Sequence, residues 1–270
     1  MSIPVRKIIN KVLTAAKVGK HVAVLLSAGM DSASVCLSLM DLGIRPVCYS
    51  FALEGGSSTD FDEARNRARL LGLTFSPIRL PITAKAIIAG MRGTAQLGAR
   101  TKTDYECGYP VVYAMYQITE PVIVTGHGAD GHFCISKKGM IHYRNNIDTF
   151  RRGLFSNPRY CQKPLLDKAA AAEGKRFVMP YLASEMVNAF MGSTWDEVNR
   201  PKQKQPIIDA YPELTEQPIK IRPHINLQLG DSHIAERYAE VLLASGIAPG
   251  AKSPVKVYNV LTKEVHNGIT

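Results

Sequence analysis

Short apolar runs alternate with amphipathic stretches through the first half of the chain. Val22-Ala23-Val24-Leu25-Leu26, bounded by turn residues, predicts a buried strand. The apolar spacing from Ser32 to Leu42 suits a helix that Gly43 ends. A second strand is expected over Pro46–Leu53, followed by the loop Glu54-Gly55-Gly56-Ser57-Ser58. Thr59 or Asp60 caps a helix running to Leu71, and Gly72 closes it. Thr74–Leu80 reads as a third strand, helical pieces follow around 83–92 and 108–118, and Pro121–Thr125 reads as a fourth strand. This alternation predicts an α/β fold, doubly wound around a mostly parallel sheet.

The second half lacks that rhythm. Lys163–Gly174, Leu182–Phe190 and Gln205–Tyr211 read as helices, and five prolines (201, 206, 212, 218 and 223) rule out a long helix through that region. Ser232–Ser245 is patterned as a helix with Asp231 as its cap; its Ile234, Ala235, Tyr238, Val241 and Leu242 are spaced for core packing. Val255–Leu261 is expected as a late strand. The chain divides into a core over residues 1–200 and a mainly helical C-terminal extension over 201–270 packed on it.

Composition adds a bias. Of 270 residues, 46% are hydrophobic and 21% charged, the mix of a globular protein. Lys and Arg number 33 against 23 Asp and Glu, a net charge of +10, which favours anionic partners such as phosphates, nucleotides or nucleic acid. No apolar run approaches the roughly 18 residues of a membrane span, and Met1–Arg6 lacks the apolar stretch of a secretory signal. The five cysteines are scattered with no CxxC pair, which argues against a disulfide framework or a four-cysteine zinc site and fits a reducing cytoplasm.

Two strand-to-helix turns carry candidate chemistry. Ser27-Ala28-Gly29-Met30-Asp31-Ser32 follows the first strand. Its small residues let backbone N–H groups approach a ligand, the helix N-terminus adds positive potential, and Ser27 and Ser32 add hydroxyls: a cradle for a pyrophosphate. Asp31 makes sense beside phosphate only with a divalent cation between them. GxxxxGK[ST] is absent, which excludes a Walker-type loop. The plainer reading is a tight turn with a capping aspartate.

The other turn is Val124-Thr125-Gly126-His127-Gly128-Ala129-Asp130-Gly131. It satisfies GxGxxG literally, but Gly139 interrupts the helix that a dinucleotide fold requires, and Asp148 follows no convincing strand. His127, Asp130 and His132 suggest zinc without supplying the further ligands such a site needs.

The first turn is similar to the SGGxDS loop of the ATP pyrophosphatases, with Ala28 for the middle glycine. The second resembles the [SG]-G-E-G-[AS]-D-E loop in the synthetase domain of asparagine synthetase, with His127 and Gly131 in place of both glutamates. Ser50-Phe51-Ala52-Leu53 with Asp60-x-x-Glu63-Ala64-Arg65 looks like the strand and helix that wall the family's adenine pocket. Thr103–Pro110 lies where the family carries its acyl-substrate loop, Arg176–Leu182 resembles R-x-P-[FY]-L-D with Ala183 in the Asp place, and Lys204–Tyr211 resembles K-x-x-L-R-x-A-[FY]. The resemblance spans about residues 20–215 in one order.

That resemblance implies an adenine nucleotide alpha hydrolase-like fold that uses ATP and Mg²⁺. It implies that Leu25, Ser27, Ala28, Gly29, Asp31, Ser32, Leu53, Thr125 and Gly126 hold the nucleotide. Asp31 and Asp130 would hold Mg²⁺ and Lys204 would reach the α-phosphate; on their own chemistry, a neutral His127 is a candidate base in the place of the family's glutamate, and Glu106 and Tyr105 are candidates to bind or deprotonate an amine. By itself Lys204 reads as a solvated lysine in the basic run 200–204, with Lys202 its neighbouring candidate; Glu106 by itself reads equally as an exposed loop carboxylate. No glutaminase domain fits ahead of a strand near residue 22, and Ser2 stands where that domain has its cysteine. The expected partners are therefore a small carboxylate with ammonia or an amine, or with a separate glutaminase chain. The expected activity is an AMP- and pyrophosphate-forming amide ligase. The alternatives are modification of a nucleobase in tRNA or DNA, favoured by the +10 charge, and a non-catalytic nucleotide-binding module. Lys137, Lys138, Arg144, Arg151 and Arg152 are candidates for a basic patch, and Trp195 for packing.

Overall fold

The computed structural model describes residues 3–216 and 232–268. The chain starts with α1 (Val5–Ala15), whose Val5, Ile9 and Leu13 recur every fourth residue and bury one stripe. Next come β1 (Val22–Leu25), α2 (Met30–Asp41), β2 (Val47–Leu53), α3 (Thr59–Leu70), β3 (Phe75–Leu80), α4 (Ala84–Gln96), a π-helical turn (Asp104–Gly108) and α5 (Tyr109–Ala114). After β4 (Val122–Val124) follow α6 (Asp130–Phe133), α7 (Lys137–Tyr143), α8 (Ile147–Phe155), a 3₁₀ turn (Tyr160–Gln162), α9 (Lys163–Ala172) and β5 (Arg176–Val178). The chain closes with α10 (Ser184–Phe190), α11 (Trp195–Asn199), α12 (Gln205–Ala210), α13 (Ile234–Ala244) and α14 (Pro254–His266).

The five strands form one parallel sheet in the order β3-β2-β1-β4-β5, with Ala23 opposite Val47 on one side and Ile123 on the other. Both faces are covered, so strand side chains are shared between two cores. Val22, Val24, Val122 and Val124 enter the core with α1 and α2. Ala23, Leu25 and Ile123 enter the other, under α4, α5, α9, α13 and α14. This is the doubly wound α/β architecture with a helical C-terminal region that the pattern predicts.

Three local expectations change. Val255–Leu261 is not a strand but part of α14, where Val257, Tyr258 and Leu261 share a buried face. β5 is a strand the pattern does not announce: it is three residues long, and Arg176 is exposed. The cap of α3 is Ser58, whose hydroxyl accepts from the Phe61 N–H at 3.1 Å, rather than Thr59 or Asp60. Asp231, Pro218 and Pro223 lie outside the described residues, and His233 occupies the cap position of α13.

Candidate functional site

The strand order reverses between β1 and β4. In an open parallel sheet the loops leaving the carboxyl ends of such a pair diverge to opposite faces and leave a crevice. Leu25 ends β1 and is buried; Leu53 ends β2 and is half-buried. The chain then turns through Ser27, Ala28 and Gly29 into α2. The turn is braced from within: the Ser27 N–H donates to Ser32 Oγ at 3.0 Å, the two serine hydroxyls meet at 3.0 Å, and the Gly29 N–H donates to Ser27 Oγ at 3.2 Å. Asp31 stands in the first turn of α2.

The loop after β4 presses against this turn. A Cβ on Gly126 would lie 2.6 Å from the Asp31 carbonyl carbon and 2.8 Å from the Ser32 nitrogen, so the close approach requires glycine. Thr125 is buried, and its hydroxyl meets His127 Nδ1 at 2.9 Å. Burial pulls the His127 pKa down, against the field of Asp130, and keeps the imidazole neutral. Gly128 has φ +93°, and a Cβ there would meet Leu182 at 2.3 Å. Asp130 opens α6, and the space over Gly131 is taken by the Tyr160 hydroxyl, 2.5 Å from where its Cβ would be.

Lys204 joins the two turns. It sits at the N-cap of α12 in the left-handed region, φ 62°, and its side chain is 3% exposed. Its ammonium is 2.6 Å from Asp31 Oδ2 and 2.6 Å from Asp130 Oδ1. The backbone N–H of Lys204 donates to Asn199 Oδ1, and Asn199 Nδ2 donates to the Phe133 carbonyl, so one buried amide ties α12 to α6. Burial works to lower the Lys204 pKa, but the two carboxylates outweigh it and the pKa rises above the ordinary lysine value.

Two carboxylates that reach one ammonium nitrogen are close enough to share a cation, and hard oxygen donors suit Mg²⁺. Among the described residues no group of three or more His, Cys, Asp or Glu side chains could hold a metal by itself. That fits an ion held by one or two carboxylates and completed by substrate phosphates.

Glu106 comes from a different element. It is buried in the π-helical turn, where it accepts from the Tyr258 hydroxyl of α14 at 3.4 Å and faces Lys102 at 3.7 Å. The reading of it as an exposed carboxylate is therefore corrected. The candidate basic patch loses Arg151, which is 0% exposed and donates to the carbonyls of His132, Phe190 and Ser193; Arg144 and Arg152 are exposed, and Arg144 stacks on Trp195 at 4.6 Å. The Lys137 and Lys138 side chains lie outside what the structure describes. His132 is no metal ligand: it is buried, meets the Tyr181 carbonyl at 2.8 Å and stacks on Phe155 and Phe190.

Sequence reasoning missed three residues beside the turns. Arg67 of α3 is buried and donates to the Ser27 carbonyl at 2.8 Å. Tyr160 covers Gly131, and Cys161 follows it with φ 55°, its thiol pushed up to about 12 by burial. No local spacing signals any of them, because each arrives from a distant element.

A parallel sheet whose switch point carries a small-residue turn with a facing carboxylate pair is the layout expected from the resemblance to the ATP pyrophosphatases. The chain belongs to the asparagine synthase family, whose model, described as "Asparagine synthase", matches residues 12–172. That span holds both turns and ends before Lys204. A search of curated proteins finds no match. Among solved structures, the chain is similar to a predicted subunit of tRNA methyltransferase from Methanocaldococcus jannaschii, at 15% identity over 76% of this chain and 93% of that one, with a TM-score of 0.31. It is also similar to NMN synthetase from Francisella tularensis, at 10% identity over 98% of this chain and 94% of that one, with a TM-score of 0.37.

Proposed function

We propose that the chain is an ATP-dependent amide ligase of asparagine-synthetase type that forms AMP and pyrophosphate. The observation that carries this reading is the Lys204 ammonium held 2.6 Å from both Asp31 and Asp130 at the mouth of the Ser27–Ser32 turn. Attack of a carboxylate oxygen on the α-phosphorus breaks the α–β bond, releases pyrophosphate and leaves an acyl-adenylate. An amine nitrogen then attacks the acyl carbon, AMP departs and one proton is lost. Negative charge concentrates on the phosphates in the first step, so the turn's N–H groups, the α2 N-terminus and Lys204 act where charge develops. Mg²⁺, when held by Asp31 and Asp130, supplies further neutralisation of that charge. His127 stays neutral by burial; with its Nδ1–H donating to Thr125 Oγ, Nε2 carries the lone pair that takes the amine proton. Leu25 and Leu53 end adjacent strands and furnish apolar wall for the adenine.

The test is a mass-spectrometric screen of acids, amines and nucleic acid for consumption coupled to AMP. An acid and an amine consumed together with one AMP and one pyrophosphate support the ligase. ATP binding without pyrophosphate release under any acceptor overturns it in favour of a non-catalytic nucleotide-binding module. The net charge of +10 favours a second reading, modification of a nucleobase in tRNA or DNA. That reading requires nucleic acid binding that falls steeply with added salt.

A further inference from the structure

Among the described residues two arginines are deeply buried, and the protein treats them differently. Arg151 ion-pairs with Asp148 at 2.8 Å and donates to three backbone carbonyls. Arg67, 4% exposed, donates a single hydrogen bond, from Nη1 to the Ser27 carbonyl at 2.8 Å. Its Nε is buried with no partner, and among the described residues no carboxylate is ion-paired with it. Burial lowers the Arg67 pKa against the opposing fields of Glu63, Cys36 and Asp60, so those more distant groups compensate its charge incompletely. A charge kept out of water without a close counter-ion is in general destabilising.

Its position explains it. The one atom among the described residues that Arg67 is seen to grip is the carbonyl that opens the Ser27–Ser32 turn, at the positive end of α2, a helix of 12 residues. A trans peptide is planar, with its C=O and N–H pointing opposite ways. Holding the Ser27 carbonyl toward Arg67 therefore turns the Ala28 N–H away from the core, to the side where Ser27 is exposed. The guanidinium thus orients a donor for an anion and places a buried positive charge behind it.

We infer that Arg67 is a positioning residue for the polyphosphate of a bound nucleotide, setting the Ser27–Ala28 peptide so that its N–H donates to the phosphate oxygens. This rests on the nucleotide reading of the turn and names a residue outside the two loops. Its signature is a trade between stability and binding. The probe is inorganic pyrophosphate with Mg²⁺, titrated calorimetrically into wild type and Arg67→Met, with melting temperatures measured alongside. Arg67→Met weakens pyrophosphate binding by about tenfold or more and keeps or raises the melting temperature. A lower melting temperature with unchanged affinity makes Arg67 a structural residue and overturns the inference. Should Arg67→Met not fold, Arg67→Lys carries the test. It keeps the charge and loses the fork, so severalfold weaker binding supports the inference and wild-type affinity overturns it. Wild type that binds no pyrophosphate sinks the nucleotide reading as well, which separates the two failures.

Discussion

Gly126 lies against Asp31 so closely that one added methyl group would stand 2.6 Å from the Asp31 carbonyl carbon. Two loops from neighbouring strands therefore touch backbone to backbone, and the carboxylates of Asp31 and Asp130 are brought to one ammonium by that contact rather than by long side-chain reach. Gly126→Ala must push the loops apart. We expect a loss of about 1–3 kcal/mol in stability and a fall in pyrophosphate production larger than the loss of folded protein explains. Retention of full turnover by the variant would show that the spacing of the two loops is immaterial.

The two carboxylates are not equivalent in the resting protein. The Asp31 side chain is 16% exposed and Asp130 is 46% exposed, against 3% for Lys204. Asp31→Asn removes the better-buried counter-charge and should cost about 2 kcal/mol, less than the roughly 3–5 of an emptied buried pair because Asp130 remains. Asp130→Asn acts on a contact made through a buried Oδ1 of an otherwise half-exposed side chain and should cost less, about 1 kcal/mol. Both should abolish Mg²⁺-dependent pyrophosphate release. Denaturant titration gives the ranking, and a larger destabilisation by Asp130→Asn would reverse this account of the pair.

In the resting protein the Lys204 ammonium stands between the two carboxylates to which the proposed function assigns a divalent cation, so that reading requires it to turn toward the phosphate when the cation binds. Lys204→Met leaves two like charges facing each other, which raises their appetite for a metal. The variant should bind Mn²⁺ in the absence of nucleotide more tightly than wild type, by calorimetry, while adenylation slows more than ATP binding weakens. Equal Mn²⁺ affinity in the two proteins would mean that the lysine and the cation do not share a position.

These relationships were unequally legible in the sequence. The three inner strands β1, β2 and β4 show as apolar runs because a parallel strand buried on both faces has little polar alternation to confuse it, and the edge strand β3 shows through Ile78 and Leu80 alternating with Arg79. β5 escapes because it is three residues at a sheet edge with Arg176 exposed. Val255–Leu261 reads as a strand because β-branched residues alternate with polar ones, yet packing of Val257, Tyr258 and Leu261 over α4 favours the helix. Both turns were visible from their small residues. Lys204 emerged only through the resemblance, since a lysine in a basic run carries no sign of burial. Arg67 gave little signal: Phe61, Ala64 and Ala68 mark the buried face of α3, but an arginine beside them in a charge-rich helix looks like any solvated one.

His132 makes acid stability a readout of how the second turn is supported. Its ring is stacked between Phe155 at 4.5 Å and Phe190 at 4.4 Å, Nε2 meets the Tyr181 carbonyl, and Nδ1 is buried with no partner. Burial first, then the nearby Arg151 charge, depress its pKa to about 3, against the hydrogen bond to Tyr181. An unfolded histidine takes up its proton near pH 6.5, whereas the folded one waits until about 3. The folded state therefore binds fewer protons in that window, its full stability is present above about pH 6.5, and on the order of 4–5 kcal/mol is lost as the pH falls toward 3. His132→Phe removes this group from the balance. At neutral pH it should be less stable by about 1 kcal/mol, because the Tyr181 carbonyl loses its donor. Its urea midpoint should then fall less steeply than that of wild type down to about pH 4. The slope that remains includes the contribution of His127, whose pKa is depressed by the same burial. Parallel acid slopes for wild type and variant would show that His132 does not set the acid limit of the fold.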